Sequence, residues 1–122
     1  TIADFLQKNS LAPEYRSRLA TVREWLASPP PAREVRARLG CSVLAHESAV
    51  TAVHAFCRRP DDFDAMMRFV VELGGDTDTI GAMAGGMFGA ARGVDALPSE
   101  LLAHLESRAG IEAVARRLCE AC

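Results

Sequence analysis

The sequence is poor in aromatic residues, which make up only 6% of its 122 residues. Alanine, leucine, valine and arginine are frequent instead, a composition that suits tightly packed helices better than a β-sheet. The apolar fraction of 49% and the charged fraction of 25% are close to the globular average, which excludes disorder and fibrous structure. The length suits one domain rather than two, and the composition predicts that this domain is all-α.

Charge of one sign and long apolar stretches are also missing. The 14 Lys and Arg residues nearly balance the 16 Asp and Glu residues, for a net charge of -2. This balance provides no electrostatic reason to bind nucleic acid or an anionic membrane, and we expect neither partner. No apolar run reaches the roughly 18 to 20 residues that a membrane-spanning helix needs.

Cysteines are few, and four is a low number for a secreted domain of this length held together by disulfides. We therefore expect a reducing, cytoplasmic compartment. Cys119 and Cys122 have the spacing of a zinc knuckle or a redox pair, but neither a second pair nor a βαβ pattern accompanies them. The sequence favours an ordinary helix end there over a metal or redox site.

Apolar residues recur at helical spacing along most of the chain. The spacing predicts a helix after Pro13, which the three prolines at 29–31 end in an extended connector. A short helix over 32–39 follows, with Gly40 as its C-terminal cap. Residues 41–48 are small and polar and are predicted to form a loop. After this loop, one helix is predicted to end at Arg58, and two more are predicted over 61–73 and 76–92. A fourth is predicted to begin at Pro98, and a fifth to run from Ile111 to the C-terminus.

Glycine is concentrated in one of these helices, where Gly81, Gly85 and Gly89 recur every four residues on one face. Each glycine costs a helix about 1 kcal/mol relative to alanine, so three aligned glycines need a compensating gain. Close approach of a neighbouring helix is the simplest gain, and we expect it along this face. The apolar stripe of the same helix comprises Ile80, Met83, Ala84, Met87, Phe88 and Ala91.

The densest polar feature is the run Gly75-Asp76-Thr77-Asp78-Thr79, which opens this helix. Two carboxylates about 5 Å apart at an effective dielectric near 20 repel by roughly 3 kcal/mol, and a divalent cation relieves that repulsion. Their oxygens suit Mg²⁺, Mn²⁺ or Ca²⁺. Both aspartates can face one ion only if Asp76 lies in the glycine loop and Asp78 begins the helix. The alternative is that Asp76 or Thr77 is an ordinary N-cap and Asp78 a first-turn acid that complements the helix dipole.

Predictions also follow for two polar side chains elsewhere. Glu47 either caps its helix together with Ser48, which is the favoured interpretation, or orients a ligand loop. His54 lies in a helix rich in alanine, valine and phenylalanine and is predicted to be packed or half-buried.

One long run, LGGDTDTIGAMAGGMFGA over residues 73–90, closely resembles the C-terminal metal-binding signature of the ADP-ribosylglycohydrolases. The stretch 40–56 is similar to the corresponding family segment, and 94–98 resembles the segment that follows the signature. The resemblance implies an all-α fold, an orthogonal helical bundle of the ADP-ribosylglycohydrolase type. Residues 1–122 would be the C-terminal part of that single domain.

The resemblance implies a hydrolase that cleaves the N- or O-glycosidic bond of ADP-ribosylated protein or of ADP-ribose conjugates. It implies two Mg²⁺ ions, with Mn²⁺ used in some relatives. By position, Asp76, Asp78 and Thr79 match the metal ligands, and the two aspartates are the catalytic carboxylates. Val43 matches a substrate-binding position near the adenosine end. Because coordination lowers the basicity of a carboxylate, we expect both aspartates to act through metal placement rather than as a sole general base.

The chain departs from the family pattern in ways that indicate a fragment. The family completes its metal site with a Thr-Asp-Asp motif in the N-terminal half of a chain more than twice this long, and that motif is missing. Pro60-Asp61-Asp62 is similar only superficially and is predicted to be an acidic helix cap. A tryptophan that often follows the family's later proline is also missing, with Leu101 near its place. With no initial Met, we expect the C-terminal portion of an enzyme, inactive without its N-terminal portion and unable to bind two Mg²⁺ ions tightly.

Two other functions share parts of this pattern. Aspartyl-phosphate phosphatases carry a similar Asp-x-Asp motif, but directly after a buried strand and with Thr or Val where this chain has Ile80. The alternative from another class is a non-catalytic module of the same fold, either crystallin-like or a helical interaction domain.

Overall fold

The computed structural model describes residues 1–9 and 12–121, which form eight α-helices and one 3-10 turn and include no β-strand. The all-α prediction is confirmed. None of the helices in these two ranges has the length and hydropathy to cross a bilayer. In chain order they are α1 (Ile2–Asn9), α2 (Pro13–Trp25), α3 (Ala32–Leu39), α4 (Ala45–Arg58), α5 (Phe63–Leu73), α6 (Thr77–Arg92), α7 (Ser99–Ala103) and α8 (Arg108–Glu120), with the 3-10 turn at Val94–Ala96.

Helix α4 is the centre of the core. Every residue from 50 to 55 is buried, because α4 contacts α2, α3, α5 and α6. The predicted apolar stripe of α6 faces this core through Ile80, Ala84 and Phe88, whereas Ala91 is exposed. The start of α6 is therefore fixed against the most buried helix of the chain, which restrains the polar residues that precede it.

Helix α4 begins earlier than the sequence pattern indicates. A loop is predicted through Ser48, but Glu47 and Ser48 lie in the first turn of α4. Their backbone N–H groups both donate to the carbonyl oxygen of Leu44, at 2.8 and 2.9 Å, and the Ser48 hydroxyl donates to the same oxygen at 3.2 Å. The connection between α3 and α4 is therefore the short loop 40–44, which begins at Gly40 with φ +81°.

The glycine face of α6 approaches α5 over part of its length. A Cβ atom placed on Gly85 would lie 3.1 Å from Met67 Cε, and one on Gly81 would lie 3.8 Å from Met67 Sδ. A Cβ atom on Gly89 would meet nothing within 4 Å. The predicted close approach is confirmed at Gly85, looser at Gly81 and wrong at Gly89, where α5 no longer runs alongside.

Helix α5 begins with the predicted acidic cap. Asp62 has extended backbone angles, and its Oδ1 accepts a hydrogen bond from the Ala65 N–H at 2.9 Å. This bond satisfies one of the backbone donors that the first turn of a helix leaves without a partner.

Asp62→Ala is expected to lower the free energy of unfolding by about 1 kcal/mol, because the N-terminus of α5 loses its side-chain acceptor. Urea unfolding followed by circular dichroism measures the change. Asp61→Ala removes the adjacent, exposed carboxylate and is expected to change stability by less than about 0.5 kcal/mol. Equal losses in the two variants would show that charge rather than the cap hydrogen bond matters.

The C-terminal helices leave large apolar side chains exposed. Neither α7 nor α8 contains a buried residue. In α8, Ile111, Val114 and Leu118 lie on one face at spacings of three and four residues, and each is at least half exposed. Leu101 and Leu105 add two more exposed apolar side chains. This end of the chain therefore contributes little to the core that α2 to α6 build.

Candidate metal centre

Two glycines set the geometry between α5 and α6. Gly74 and Gly75 have φ values of +67° and +72°, in the left-handed region that side chains disfavour. Asp76 follows at the N-cap position with φ -82° and ψ 60°, and Asp78 and Thr79 lie in the first turn of α6. The structure thus has the arrangement that the sequence required, with Asp76 in the glycine loop and Asp78 in the helix.

Asp76 occupies the N-cap position, but its side chain accepts no capping hydrogen bond from α6, whereas Asp78 is the first-turn acid that the alternative interpretation predicted. Asp76 and Thr77 are half-buried, whereas Asp78 and Thr79 are exposed. Residues 76–79 therefore present carboxylate and hydroxyl oxygens at a helix N-terminus, and the Asp76 carboxylate makes no capping hydrogen bond there.

The carboxyl groups of Asp76 and Asp78 interact. A hydrogen bond with the Asp76 side chain, together with hydrogen bonds from the backbone N–H groups of Thr79 and Asp78, holds the pKa of Asp78 below its ordinary value. Two ionised carboxylates held close together repel each other. A divalent cation bound to both groups would offset that repulsion.

The loop between α5 and α6 lies against loop 40–44. The Asp76 N–H donates to the Cys41 carbonyl oxygen at 2.8 Å, and Cys41 Sγ lies 3.9 Å from the Leu73 carbonyl oxygen. Val43 is two residues from Cys41 and is 79% exposed. The fold therefore places the loop that carries Val43 beside the predicted metal ligands, although more than thirty residues separate them in sequence.

The structure gives Glu47 a role that the favoured interpretation missed. Its Oε2 accepts the Ser42 N–H at 3.1 Å, and its Oε1 lies 4.0 Å from Arg18 Nη2. Hydrogen bonds from the side chain and backbone of Ser42, with the charge of Arg18, hold the pKa of the Glu47 carboxyl below its ordinary value. Glu47 therefore orients loop 40–44 and does not cap α4. The favoured capping interpretation is therefore wrong, and the structure supports the alternative, in which Glu47 orients a loop.

The donor set fits a hard cation but does not complete its coordination. Within residues 1–9 and 12–121, no three carboxylate, imidazole or thiol groups come together in one cluster. Asp76, Asp78 and Thr79 are oxygen donors of the kind that Mg²⁺ and Mn²⁺ prefer, but Mg²⁺ takes six ligands.

The phosphatase interpretation is wrong, because α5 and not a strand precedes Asp76. Cys119 is exposed, and its partner in the spacing motif, Cys122, lies outside the described residues.

The fold is an all-α domain in which an acidic loop precedes the glycine-rich helix α6 and contacts a second loop, 40–44. The model of the ADP-ribosylglycohydrolase family matches residues 1–122, and the chain belongs to this family. It is similar to ADP-ribosylhydrolase ARH3 of Homo sapiens, with 40% identity over 95 residues. Those residues are 69% of this chain and 26% of the human protein.

Other relatives give the same picture. ADP-ribosylhydrolase ARH3 of Bos taurus is 39% identical over 95 residues, which again are 69% of this chain and 26% of that protein. The Danio rerio protein of the same name is 33% identical over 115 residues, 85% of this chain and 31% of that protein. The chain thus spans between a quarter and a third of the length of these curated relatives. No solved structure matches the chain.

Proposed function

We propose that the chain is the C-terminal part of an ADP-ribosyl hydrolase domain that cleaves the N- or O-glycosidic bond of ADP-ribosylated protein or ADP-ribose conjugates. The observation that carries this proposal is the placement of Asp76, Asp78 and Thr79. Their oxygens lie at one helix N-terminus, beside an exposed loop, in a chain of this family. The resemblance of residues 73–90 to the family's metal signature supports the same assignment.

Asp76, Asp78 and Thr79 would hold the metal, two Mg²⁺ ions with Mn²⁺ as the alternative. When bound, the ions would supply a positive charge that orients ribose hydroxyls and the attacking water and stabilises the charge that develops as the glycosidic bond lengthens. The chain's own contribution is placement. The turn at 74–75 separates Asp76 from the helix, while the first turn of α6 fixes Asp78 and Thr79. Neither aspartate is the sole general base, because a cation bound to a carboxylate lowers its basicity.

Loop 40–44 would contact the substrate. Val43 presents an apolar side chain to solvent beside the Asp76 loop, and an apolar side chain suits the face of an adenine ring. We assign Val43 to the adenosine end of an ADP-ribose substrate. The net charge of -2 is compatible with this anionic ligand, because metal ions can neutralise the phosphates without a basic protein surface.

The N-terminal portion of the enzyme would complete both the metal site and the fold. The chain spans 26% of the human relative, and the two aspartates have no third acidic, imidazole or thiol group near them in the described ranges. The exposed apolar face of α8 supports a second polypeptide portion that covers it. Without that portion we expect no hydrolysis of ADP-ribose conjugates and no tight binding of two Mg²⁺ ions.

Mn²⁺ titration of the ¹⁵N-labelled chain tests the proposed metal ligands, because the paramagnetic ion broadens the signals of amides near it. Broadening is expected first at residues 76–79. Asp78→Asn is expected to raise the Mn²⁺ concentration for half-broadening by about tenfold, since one anionic ligand is lost. Asp64→Asn is the matched control, because Asp64 is an exposed first-turn acid of α5.

Equal effects of Asp78→Asn and Asp64→Asn would contradict a specific site and favour the non-catalytic module. Release of ADP-ribose from a modified protein by the chain alone would contradict the proposal that it is an incomplete site.

A further inference from the structure

We propose that Glu47 is a positioning residue of this site, whose carboxylate holds loop 40–44 and, through the Cys41 carbonyl group, the start of α6 at Asp76. The identity of what the site binds rests on the proposed function. The positioning itself rests on contacts within the chain.

The Glu47 carboxylate contacts the residues on both sides of Cys41. On one side it accepts the Ser42 N–H at 3.1 Å. On the other it lies directly against Gly40, where an added Cβ atom would overlap the carboxyl group and where φ is +81°. The Glu47 side chain therefore restrains Gly40 and Ser42, the two neighbours of Cys41, and with them the Cys41 backbone.

Cys41 connects loop 40–44 to residues 76–79, which contain the proposed metal ligands. Its carbonyl oxygen accepts the Asp76 N–H at 2.8 Å. Gly75 packs so closely against the same carbonyl group that no side chain fits there. The first ligand of the run therefore takes its position from a loop that Glu47 holds in place.

Glu47 is itself fixed by α2. Arg18 Nη2 lies 4.0 Å from Glu47 Oε1, and Arg18 Nε donates to the Leu39 carbonyl oxygen at 3.1 Å. The Arg18 and Glu47 side chains are only 24% and 19% exposed, so the pair is largely removed from water and less screened than a surface pair. One turn further along α4, the Thr51 hydroxyl donates to the Gly40 carbonyl oxygen at 2.7 Å.

This network explains why a carboxylate, rather than a neutral side chain, stands at position 47. An anionic acceptor makes stronger hydrogen bonds to an N–H group than a neutral acceptor does. It also pairs with Arg18, which anchors it to the end of α3 through Leu39. Glu47 touches neither Asp76 nor Asp78 in these contacts, so it acts through the loop and not as a ligand.

Amide hydrogen exchange on the intact 122-residue chain tests the proposal. Glu47→Ala is expected to lower the protection of the Asp76 N–H by about tenfold relative to the Phe88 N–H, because the carbonyl that it donates to is no longer held. The Phe88 N–H, in the middle of α6, reports global unfolding. Glu47→Gln keeps the shape and one acceptor oxygen but loses the pairing with Arg18, and is expected to restore only part of the protection. Glu34→Gln, in the exposed first turn of α3, is the control and is expected to change neither amide.

Mn²⁺ titration of the same variants gives the second measurement. Glu47→Ala is expected to raise the Mn²⁺ concentration for half-broadening at Thr79 by about fivefold, the effect of one lost hydrogen bond. Protection of Asp76 that falls only in step with Phe88 would overturn the proposal, since Glu47 would then be merely structural. Unchanged Mn²⁺ broadening at Thr79 would overturn it as well.

The two proposals fail in different ways. If Mn²⁺ broadening in the unsubstituted chain is not centred on residues 76–79, the proposed function fails. The comparison of Asp76 with Phe88 protection then still decides whether Glu47 positions the start of α6.

Discussion

Gly75→Ala is expected to lower the free energy of unfolding by about 3 to 4 kcal/mol, as the sum of a disfavoured backbone angle and a lost hydrogen bond with its packing. Gly75 has φ +72°, and a Cβ atom there would overlap the carbonyl oxygen of Cys41. Because the obstacle is backbone, no side-chain rotation relieves it. The two loops must separate, which breaks the hydrogen bond from the Asp76 N–H to Cys41.

The matched control lies on the helix that follows. Gly86 is in α6, and a Cβ atom added there meets nothing within 4 Å. Gly86→Ala is therefore expected to raise the free energy of unfolding by about 0.5 to 1 kcal/mol, through helix propensity alone. Urea unfolding followed by circular dichroism at 222 nm measures both variants. A loss below about 1 kcal/mol in Gly75→Ala would show that the loops are not in contact in solution.

Most helices were predicted well because their signals are local, although α1 was not predicted. Pro13 marks the start of α2 and the Asp62 cap marks the start of α5, whereas α2 ends at Trp25, before the prolines at 29–31. The predicted start of α4 was wrong because polar residues near a helix N-terminus resemble a loop. Leu44 caps this helix through its backbone carbonyl, and leucine is not a residue that predicts a cap.

Contacts between distant segments were the part that the sequence could not provide. The glycine spacing predicted a neighbouring helix, but only the path of α5 decides that Gly85 meets Met67 while Gly89 meets open space. The sequence also identified Asp76, Asp78 and Thr79 as donors from their chemistry. The family resemblance assigned Val43 to the same site, but the contact itself could not be predicted, because a backbone hydrogen bond between Cys41 and Asp76 leaves no pattern in side-chain identity.

Acidification is expected to destabilise the chain through one buried histidine. His54 is 2% exposed, and within the described structure neither of its ring nitrogens has a hydrogen-bond partner. Its ring packs edge-on against Trp25 and Phe69, with centroid distances of 5.5 and 5.8 Å. Burial, with a smaller contribution from the charge of Arg58, lowers the pKa of His54 from 6.5 to about 4.

The sign of the effect follows from the proton balance. The folded chain keeps His54 neutral down to about pH 4, whereas the unfolded chain binds a proton below about pH 6.5. The contribution of neutral His54 to the free energy of unfolding is fully present above pH 6.5 and is lost as the pH falls from 6.5 to 4. The full loss is about 3.5 kcal/mol, from 2.5 pH units at about 1.4 kcal/mol each, of which about 3 kcal/mol is reached at pH 4, where His54 in the folded chain is half protonated.

His54→Phe isolates this contribution, because the ring contacts with Trp25 and Phe69 are kept while the titrating group is removed. We expect the variant to lose about 3 kcal/mol less than the original chain between pH 7 and pH 4, and to be about 1 kcal/mol more stable at pH 7. His104→Gln removes an exposed imidazole and is the matched control for substitution of a histidine outside the core. Urea unfolding at a series of pH values measures all three chains.

The same loss on acidification in His54→Phe would mean that carboxylates such as Asp4 and Glu47, whose pKa values are also lowered, account for the effect. Because those groups are present in every variant, the difference between the curves belongs to His54 alone.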